Sequence, residues 1–587
     1  MNSKSIIEGY MKNQDWRVKE NSNAIYSFGA MNKYITGEIS KDYWLREIYP
    51  EEISKAYVNG DIHIHDLGGL SLYCCGYSLR DILLKGVRGV GNIPVSAPAK
   101  HFDSILNQIA NLITIFQNEI MGAVALNSFD TLLAPFIKYD HLTYEEVKQS
   151  MQNYIYSINS NSRAGAEPAF SNLTFDLTPP VDLIDEYAIV GGELVSFTYG
   201  SCQQEMDMLN KAFFELMIQG DSSGKLFSYP IPTYNIHSRF DWDNPNNRLL
   251  WEMAGKYGTP YFANFLNSDL DISDIRSMCC RLSLNLKELR KKNGGLFGAG
   301  DSTGSIGVVT VNLPRLGFES TTKEEFFEKL SRILDLASQS LEIKRDWLNE
   351  HVVNTGLLPA FDEYVGTIAN HFSTIGIVGM NEMCVNLLNK DITTQEGHDF
   401  AIEVGEFINN KLIEYQESTG HLYNFEATPA ESTCYRLAML DKKKYPEIFT
   451  QGSGKDIYYT NSCHIPVKDI KSINDTFFHQ DGLQVLFSGG TVIHIYLEGA
   501  IGGDQAKEII KTVCTKYRTP YVSLSPISRY CPEHGYIKEV VDKCPVCKAK
   551  LKKYQRITGY LRCVDNFNRG KAAEYADRVQ LGGTNLV

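Results

Sequence analysis

Two short knuckles near the carboxy terminus constrain this chain more than any other feature: Cys531-Pro-Glu-His534 and, nine residues further on, Cys544-Pro-Val-Cys547. Each sets two soft or borderline ligands across one tight turn. Together they supply the four ligands that a structural zinc takes in its tetrahedron. The backbone from Cys531 to Cys547 must therefore turn back on itself twice around one point. Four protein ligands leave no open position for water, so the expected Zn2+ is structural and not catalytic. Surface cysteines with a chance histidine would not account for the doubled spacing. A zinc ribbon often points to nucleic acid, but the net charge is -13 and Lys548 to Lys553 is the only basic run beside the knuckles. Nucleic acid is thus not an expected partner, and a stabilising clip is the better reading.

The thirteen cysteines bear on compartment. Met1 to Ser22 shows no basic stretch followed by an apolar one, and no run of about 18 apolar residues occurs anywhere. The expectation is a cytoplasmic protein with no membrane span, its cysteines serving as thiols, metal ligands or redox groups instead of a disulfide framework. Apolar residues recur at helical spacing over His101 to Met121, Lys323 to Leu348 and Glu396 to Glu417. Short apolar segments at Ile306 to Leu313 and Thr491 to Leu497 suit buried strands. Helices alternating with buried strands predict an α/β fold around one large sheet or barrel. The composition changes near Pro520, which divides the chain into a catalytic body (residues 1–519) and a C-terminal module (520–587).

Gly559 lies twelve residues beyond Cys547, in Arg556-Ile-Thr-Gly-Tyr-Leu-Arg562. On spacing alone, a glycine before a tyrosine marks a turn or a bulge. Glycine is also the one residue whose α-carbon radical can flatten without a side-chain clash, so that the electron delocalises into both flanking amides.

The knuckles, RITGYLR and Asn568-Arg-Gly-Lys571 together resemble the tail of the anaerobic (class III) ribonucleoside-triphosphate reductases, which are glycyl radical enzymes. The resemblance extends through GDIHIHDL (Gly60 to Leu67), YCCGYSL (Tyr73 to Leu79), SNLTFDLT (Ser171 to Thr178), MCCRL (Met278 to Leu282), GSIGVVTVNLPR (Gly304 to Arg315), EATPAE (Glu426 to Glu431) and YYTNS (Tyr458 to Ser462). The order and spread of these segments are specific. The resemblance implies a barrel of about ten strands surrounded by helices, with a zinc-ribbon and glycyl radical tail. It implies reduction of ribonucleoside triphosphates to deoxyribonucleoside triphosphates, with the radical stored on Gly559. S-adenosylmethionine and a [4Fe-4S] cluster enter only through a separate activase. A homodimer and dNTP or ATP effectors are likewise implied; members of the family often carry an N-terminal regulatory ATP-cone, which is expected to be absent here because the matching sequence begins near Trp16. Formate acetyltransferases and diol dehydratases are the enzymatic alternative, but they typically lack the knuckles.

The resemblance also suggests roles for individual residues. Cys280, or Cys279 beside it, matches the cysteine that carries the thiyl radical, at the head of a segment that turns glycine-rich (GGLFGAGDSTGSIG). Formate oxidation would use Cys74 or Cys75 with Asn312. A thioredoxin-like reductant would instead involve Glu426 as general base and Cys463 as a second thiol, and the coexistence of these two with Cys74 favours that branch. Thr428, Pro429, Ala430, Glu431 and Ser432 form a helix start suited to substrate phosphates. His63 and His65 alternate on one strand face and are expected in hydrogen bonds, not on a metal.

Overall fold

The computed structural model describes residues 3–12, 26–88, 94–160, 168–267, 302–427 and 430–582. Among them the expected helices occupy Phe102–Glu119, Lys323–His351 and Gln395–Thr419. The last two begin where Thr322 and Thr394 accept a hydrogen bond from the backbone three residues on, satisfying a donor that the first helical turn leaves open.

In chain order the strands are β1 (Ile62–Ile64), β2 (Cys74–Tyr77), β3 (Val124–Leu126), β4 (Ser171–Phe175), the hairpin β5 (Tyr187–Val190) and β6 (Glu193–Thr198), β7 (Ile231–Ile236), β8 (Tyr261–Asn264), β9 (Gly304–Asn312), β10 (His371–Val378), β11 (Tyr423–Glu426), the hairpin β12 (Gln451–Ser453) and β13 (Asp456–Tyr458), β14 (Ile493–Leu497), β15 (Tyr521–Pro526), β16 (Ser528–Cys531), β17 (Gly535–Ile537), β18 (Lys552–Arg556) and β19 (Leu561–Cys563). Eleven of these form one large mixed sheet. Its main path runs β11-β10-β9-β2-β3-β4-β7-β8-β15-β14, and β1 pairs with β9 off that path. Runs of parallel pairs change direction at two antiparallel contacts, β2 with β9 and β8 with β15. Just ahead of β14, Gly489 makes an isolated parallel bridge to Glu426, the last residue of β11.

The two faces of this sheet differ in chemistry. Cys75, Val124, Leu173, Tyr234, Val309, Ile375 and Phe425 face a continuous apolar core shared with the surrounding helices. Their neighbours in sequence point the other way, as strand alternation requires, and that second face is small or polar: Cys74, Ala125, Asn172, Thr174, Thr310 and Asn424. These residues are buried as well. Several of these groups are paired within the protein: Thr310 with His65, Asn424 with Thr374 and Asn172 with the Ile231 carbonyl.

The C-terminal segment begins inside this architecture. β15 belongs to the large sheet, so the division expected at 519/520 falls just ahead of a strand shared with the body. Only from Ser528 onward does the chain build a sheet of its own, β17-β16-β18-β19.

Candidate functional site

The first knuckle closes a hairpin. Cys531 ends β16 and pairs with Gly535, which opens β17 at φ +69°, a left-handed conformation that glycine adopts without strain. The second knuckle is a tight turn, in which the N–H of Lys548 donates to the Cys544 carbonyl at 3.0 Å and that of Cys544 to Ala549 at 2.8 Å. These turns gather Cys531, His534, Cys544 and Cys547 so that their ligand atoms all lie within 4.8 Å of one another. Cys531 Sγ is 3.6 Å from His534 Nδ1 and 3.6 Å from Cys547 Sγ, and Cys544 Sγ is 3.7 Å from His534 Nδ1. Zinc–sulfur and zinc–nitrogen bonds of ordinary length give tetrahedral edges of roughly 3.5–3.8 Å. The four side chains fit a tetrahedral metal.

Gly559 sits in the turn between β18 and β19, whose Arg556 and Leu561 pair across it. The Ile557 N–H closes the turn on the Tyr560 carbonyl at 3.0 Å. β18 also pairs with β16, so the metal cluster and the glycine share one small sheet. The tip is docked on the large sheet. Tyr261 of β8 donates its phenol proton to the Gly559 carbonyl, and Arg556 donates to the same oxygen at 3.3 Å. The Arg556 guanidinium lies 4.0 Å from the centre of the Tyr261 ring and also donates to the carbonyls of Gly258 and Thr259. Behind the turn, Arg578 donates to the carbonyls of Arg556 and Ile557 at 2.8 and 2.9 Å. Its charge is met by Glu574, which also pairs with Lys571, and all three are buried.

Cys74 lies on the face opposite Cys75, in a small apolar cluster with Ala123, Ala125, Phe372 and Leu422, against which Phe170 packs. Phe170 in turn meets the Tyr560 ring edge-on at 5.9 Å. One aromatic ring thus links the Cys74 cluster to the residue beside Gly559. Tyr560 donates a hydrogen bond to Glu431; burial and that carboxylate hold its phenol well above its ordinary pKa. Glu426, at the end of β11, is buried on the same face as Asn424. Gly490, at φ +66°, lets the chain pass close beside it: a Cβ there would meet Glu426 Cγ at 2.7 Å.

The other predicted residues are distributed differently. Cys75 faces the apolar core, where burial raises its thiol pKa far above the ordinary value. Asn312 is not brought to Cys74. Cys74 stands opposite Ser305, seven residues along β9 from Asn312, roughly 23 Å of strand. The Asn312 amide donates to the Gly60 carbonyl at 2.8 Å and to Asp441 at 2.9 Å, and Asp441 is itself bound to buried Arg315. Cys463 belongs to the apolar core; Gln484 donates to its sulfur at 3.4 Å, and burial pushes the thiol up to about 12. Ala430 is buried with Val378 and Cys434, and Ser432 opens the helix Ser432–Lys444. Cys279, Cys280, Thr428 and Pro429 lie outside the described residues. The His63 and His65 rings meet edge-on at 4.6 Å, with His65 hydrogen-bonded to Thr310 and His63 to Arg436.

Tyr261, Arg578 and Glu574 are absent from the sequence reading. Tyr261 lies 298 residues from the glycine it contacts, and no local pattern announces a pairing of that range. Among the described residues, no helix is long and apolar enough to cross a membrane.

The sequence profile of the family "Anaerobic ribonucleoside-triphosphate reductase" matches residues 20–581. The enzyme of that name from Haemophilus influenzae is 24% identical over 594 residues, covering 93% of this chain and 81% of its own. Among solved structures, one described as an anaerobic ribonucleotide reductase superposes with a TM-score of 0.80 at 21% identity, over 99% of this chain and 94% of the other. The anaerobic ribonucleotide reductase from Thermotoga maritima in complex with dATP and CTP gives 0.77 at 20% identity, over 97% and 98%.

Proposed function

The chain belongs to the anaerobic ribonucleoside-triphosphate reductase family, and from that premise we propose how its own residues divide the work of radical ribonucleotide reduction. The protein reduces ribonucleotides to deoxyribonucleotides anaerobically by a glycyl and thiyl radical mechanism. We assign radical storage to Gly559. A radical S-adenosylmethionine activase with its [4Fe-4S] cluster takes one hydrogen atom from the Gly559 α-carbon. A cysteine thiol, Cys280 or its neighbour Cys279, then returns a hydrogen atom to that carbon and becomes a thiyl. The thiyl removes the 3′ hydrogen of the ribose, and the 2′ hydroxyl departs as water after protonation. Each turnover takes up two electrons and two protons in all, the one on the departing hydroxyl included, and the cysteine S–H returns the 3′ hydrogen and so becomes the thiyl again.

The observation that carries this assignment is the position of Gly559. It sits at the tip of a hairpin docked on the large sheet, with Tyr560 one ring away from the Cys74 cluster. Cys74 is the thiol we place at the substrate, because it faces the side of the radical hairpin while Cys75 faces the core. Glu426 shares that face, where a carboxyl in a dry pocket is suited to general acid–base work. Asn172 Oδ1 and Asn235 Oδ1 on the same side have no hydrogen-bond partner among the described residues, which suits a polar substrate.

A thioredoxin-like reductant remains our reading, resting on Cys74 and Glu426. Cys463, the second thiol of that branch, packs in the apolar core beside Gln484, and the formate pair would need Asn312 and Cys74 to act across the length of β9 that separates them. Glu431, tied to Tyr560, and the helix start at Ser432 are the proposed substrate-phosphate segment, continuing through Thr428, Pro429 and Ala430.

The ten-strand path is proposed to close as a barrel, since Gly489 ahead of β14 already bridges Glu426 on β11. Zn2+ held by Cys531, His534, Cys544 and Cys547 would stiffen the radical hairpin and take no part in the chemistry. Functionally, residues 1–519 form the catalytic body and 520–587 the zinc and radical module, joined through β15. The Thermotoga maritima protein binds dATP and CTP; by likeness we propose nucleotide effectors, a homodimer and a cytoplasmic location here.

Anaerobic electron paramagnetic resonance after incubation with the activase tests the central assignment. The wild type is expected to give a doublet, with chain cleavage at Gly559 on admitting air, and Gly559→Ala neither. Absence of a signal from zinc-loaded wild type would remove the assignment. Turnover with formate and with a thioredoxin-like protein, measured side by side, identifies the reductant.

A further inference from the structure

We propose that Tyr261 is a positioning residue for the stored radical, its phenol hydrogen bond to the Gly559 carbonyl stabilising the glycyl radical relative to intact glycine. This rests on the reading of Gly559 as the storage site. The relevant geometry is a convergence on one oxygen. Tyr261 reaches the Gly559 carbonyl from β8 in the body, and Arg556 reaches it from the hairpin at 3.3 Å. The two donors are themselves stacked, with the guanidinium 4.0 Å from the ring centre. Arg556 is held in place by carbonyls of the segment just before β8, so neither donor can turn away independently.

That oxygen belongs to the residue whose α-carbon loses hydrogen. An unpaired electron on the α-carbon conjugates with the adjacent carbonyl, and the contributing form with charge on oxygen grows as the carbon flattens. A donor aimed at this oxygen therefore binds the radical more strongly than the parent peptide. Preorganised donors act on the difference between two states, and only that difference shifts an equilibrium. In the transfer where cysteine S• takes hydrogen from the Gly559 α-carbon to leave cysteine S–H and the carbon radical, the bond favours storage on the glycine. The same bond holds the peptide plane against the body, which fixes the direction of the remaining C–H.

The test uses the full-length, zinc-loaded protein, activated anaerobically, and proton electron–nuclear double resonance of the radical in H2O and in D2O. Wild type is expected to show an exchangeable coupling from the phenol proton in addition to those of the neighbouring amide N–H groups and of Arg556. Tyr261→Phe keeps the ring and its stacking with Arg556, so it is expected to retain the α-hydrogen doublet, lose that coupling and store on the order of tenfold less radical. Unchanged exchangeable couplings in Tyr261→Phe would overturn the proposal while leaving Gly559 as the radical site. No doublet in wild type would instead overturn the storage assignment. Should Tyr261→Phe fail to fold, 3,5-difluorotyrosine at position 261, which keeps the ring and the hydrogen bond but has a more acidic phenol, still decides: exchangeable couplings unchanged from wild type sink the proposal.

Discussion

The guanidinium of Arg578 donates to the backbone carbonyl of Arg556 at 2.8 Å, so the helix that follows the radical hairpin holds the strand that leads into it. The helix, Arg569–Asp577, begins at the Asn568 cap of the NRGK segment. Glu574 is the hinge of this arrangement, pairing with Lys571 at 2.5 Å and Arg578 at 2.8 Å in full burial. Removing one member of a buried ionic group leaves the others uncompensated, at a cost of about 3–5 kcal/mol. Glu574→Gln should therefore lower the melting temperature and accelerate amide exchange at Arg556 and Ile557. Unchanged exchange there would mean that the helix does not brace the hairpin.

The same carboxyl gives the tail a pH dependence. Burial pushes the Glu574 pKa up, but Lys571 and Arg578 outweigh it, and the net shift is downward from the ordinary 4.5. A depressed carboxyl contributes stability that is full above its unfolded value and is lost as pH falls through the folded one. Unfolding measured from pH 7 to pH 3 should show wild type losing stability below the ordinary carboxylate range. Glu574→Gln should follow a flatter curve, and parallel curves would contradict the linkage.

Zinc analysis of Cys544→Ser should fall from about one metal per chain to near zero, since three remaining ligands no longer close the tetrahedron. The large sheet has its own core and is expected to keep its unfolding transition. The hairpin shares β16 with the cluster, so the Gly559 radical signal should drop sharply after activation. Full radical yield in the metal-free variant would separate the cluster from radical storage.

Cys74→Ser and Cys75→Ser should behave as opposites. The first alters the thiol on the side of the radical hairpin and is expected to abolish turnover of the folded protein. The second places a hydroxyl in the apolar core, which costs about 1–3 kcal/mol, and should melt earlier while keeping most activity per folded molecule. Equal losses of activity would remove the distinction between the faces.

Asn312→Ala tests a structural role. Losing the donor to buried Asp441 should cost about 1–3 kcal/mol, read as a lower melting temperature. Dependence of turnover on formate should not change, and a change specific to formate would restore Asn312 to the reductant pathway.

Short-range features were legible in the sequence because they are chelate and helix problems solved within a few residues. The doubled knuckle could gather its ligands only by turning back twice, and the structure does so. The three long helices stand within a few residues of their periodic patterns, and GSIGVVTVN, rich in β-branched residues, is β9. The family too could be read from the order of its segments.

What the sequence could not decide is which way side chains face when both sides of a strand are buried. Cys74 and Cys75 are adjacent and both are covered, so burial alone does not rank them. Only the helices against one face and the hairpin against the other make one thiol core and the other a candidate for chemistry. Asn312 and Cys463 carried suitable functional groups, but distance along β9 and packing in the core are properties of the assembled sheet. Tyr261 was invisible for a related reason: its hydrogen bond joins residues 298 positions apart, and a contact of that range exists only once the chain has folded around it. Sequence specified the local chemistry of glycine, cysteine and the four ligands, and tertiary structure decided which of those groups meet.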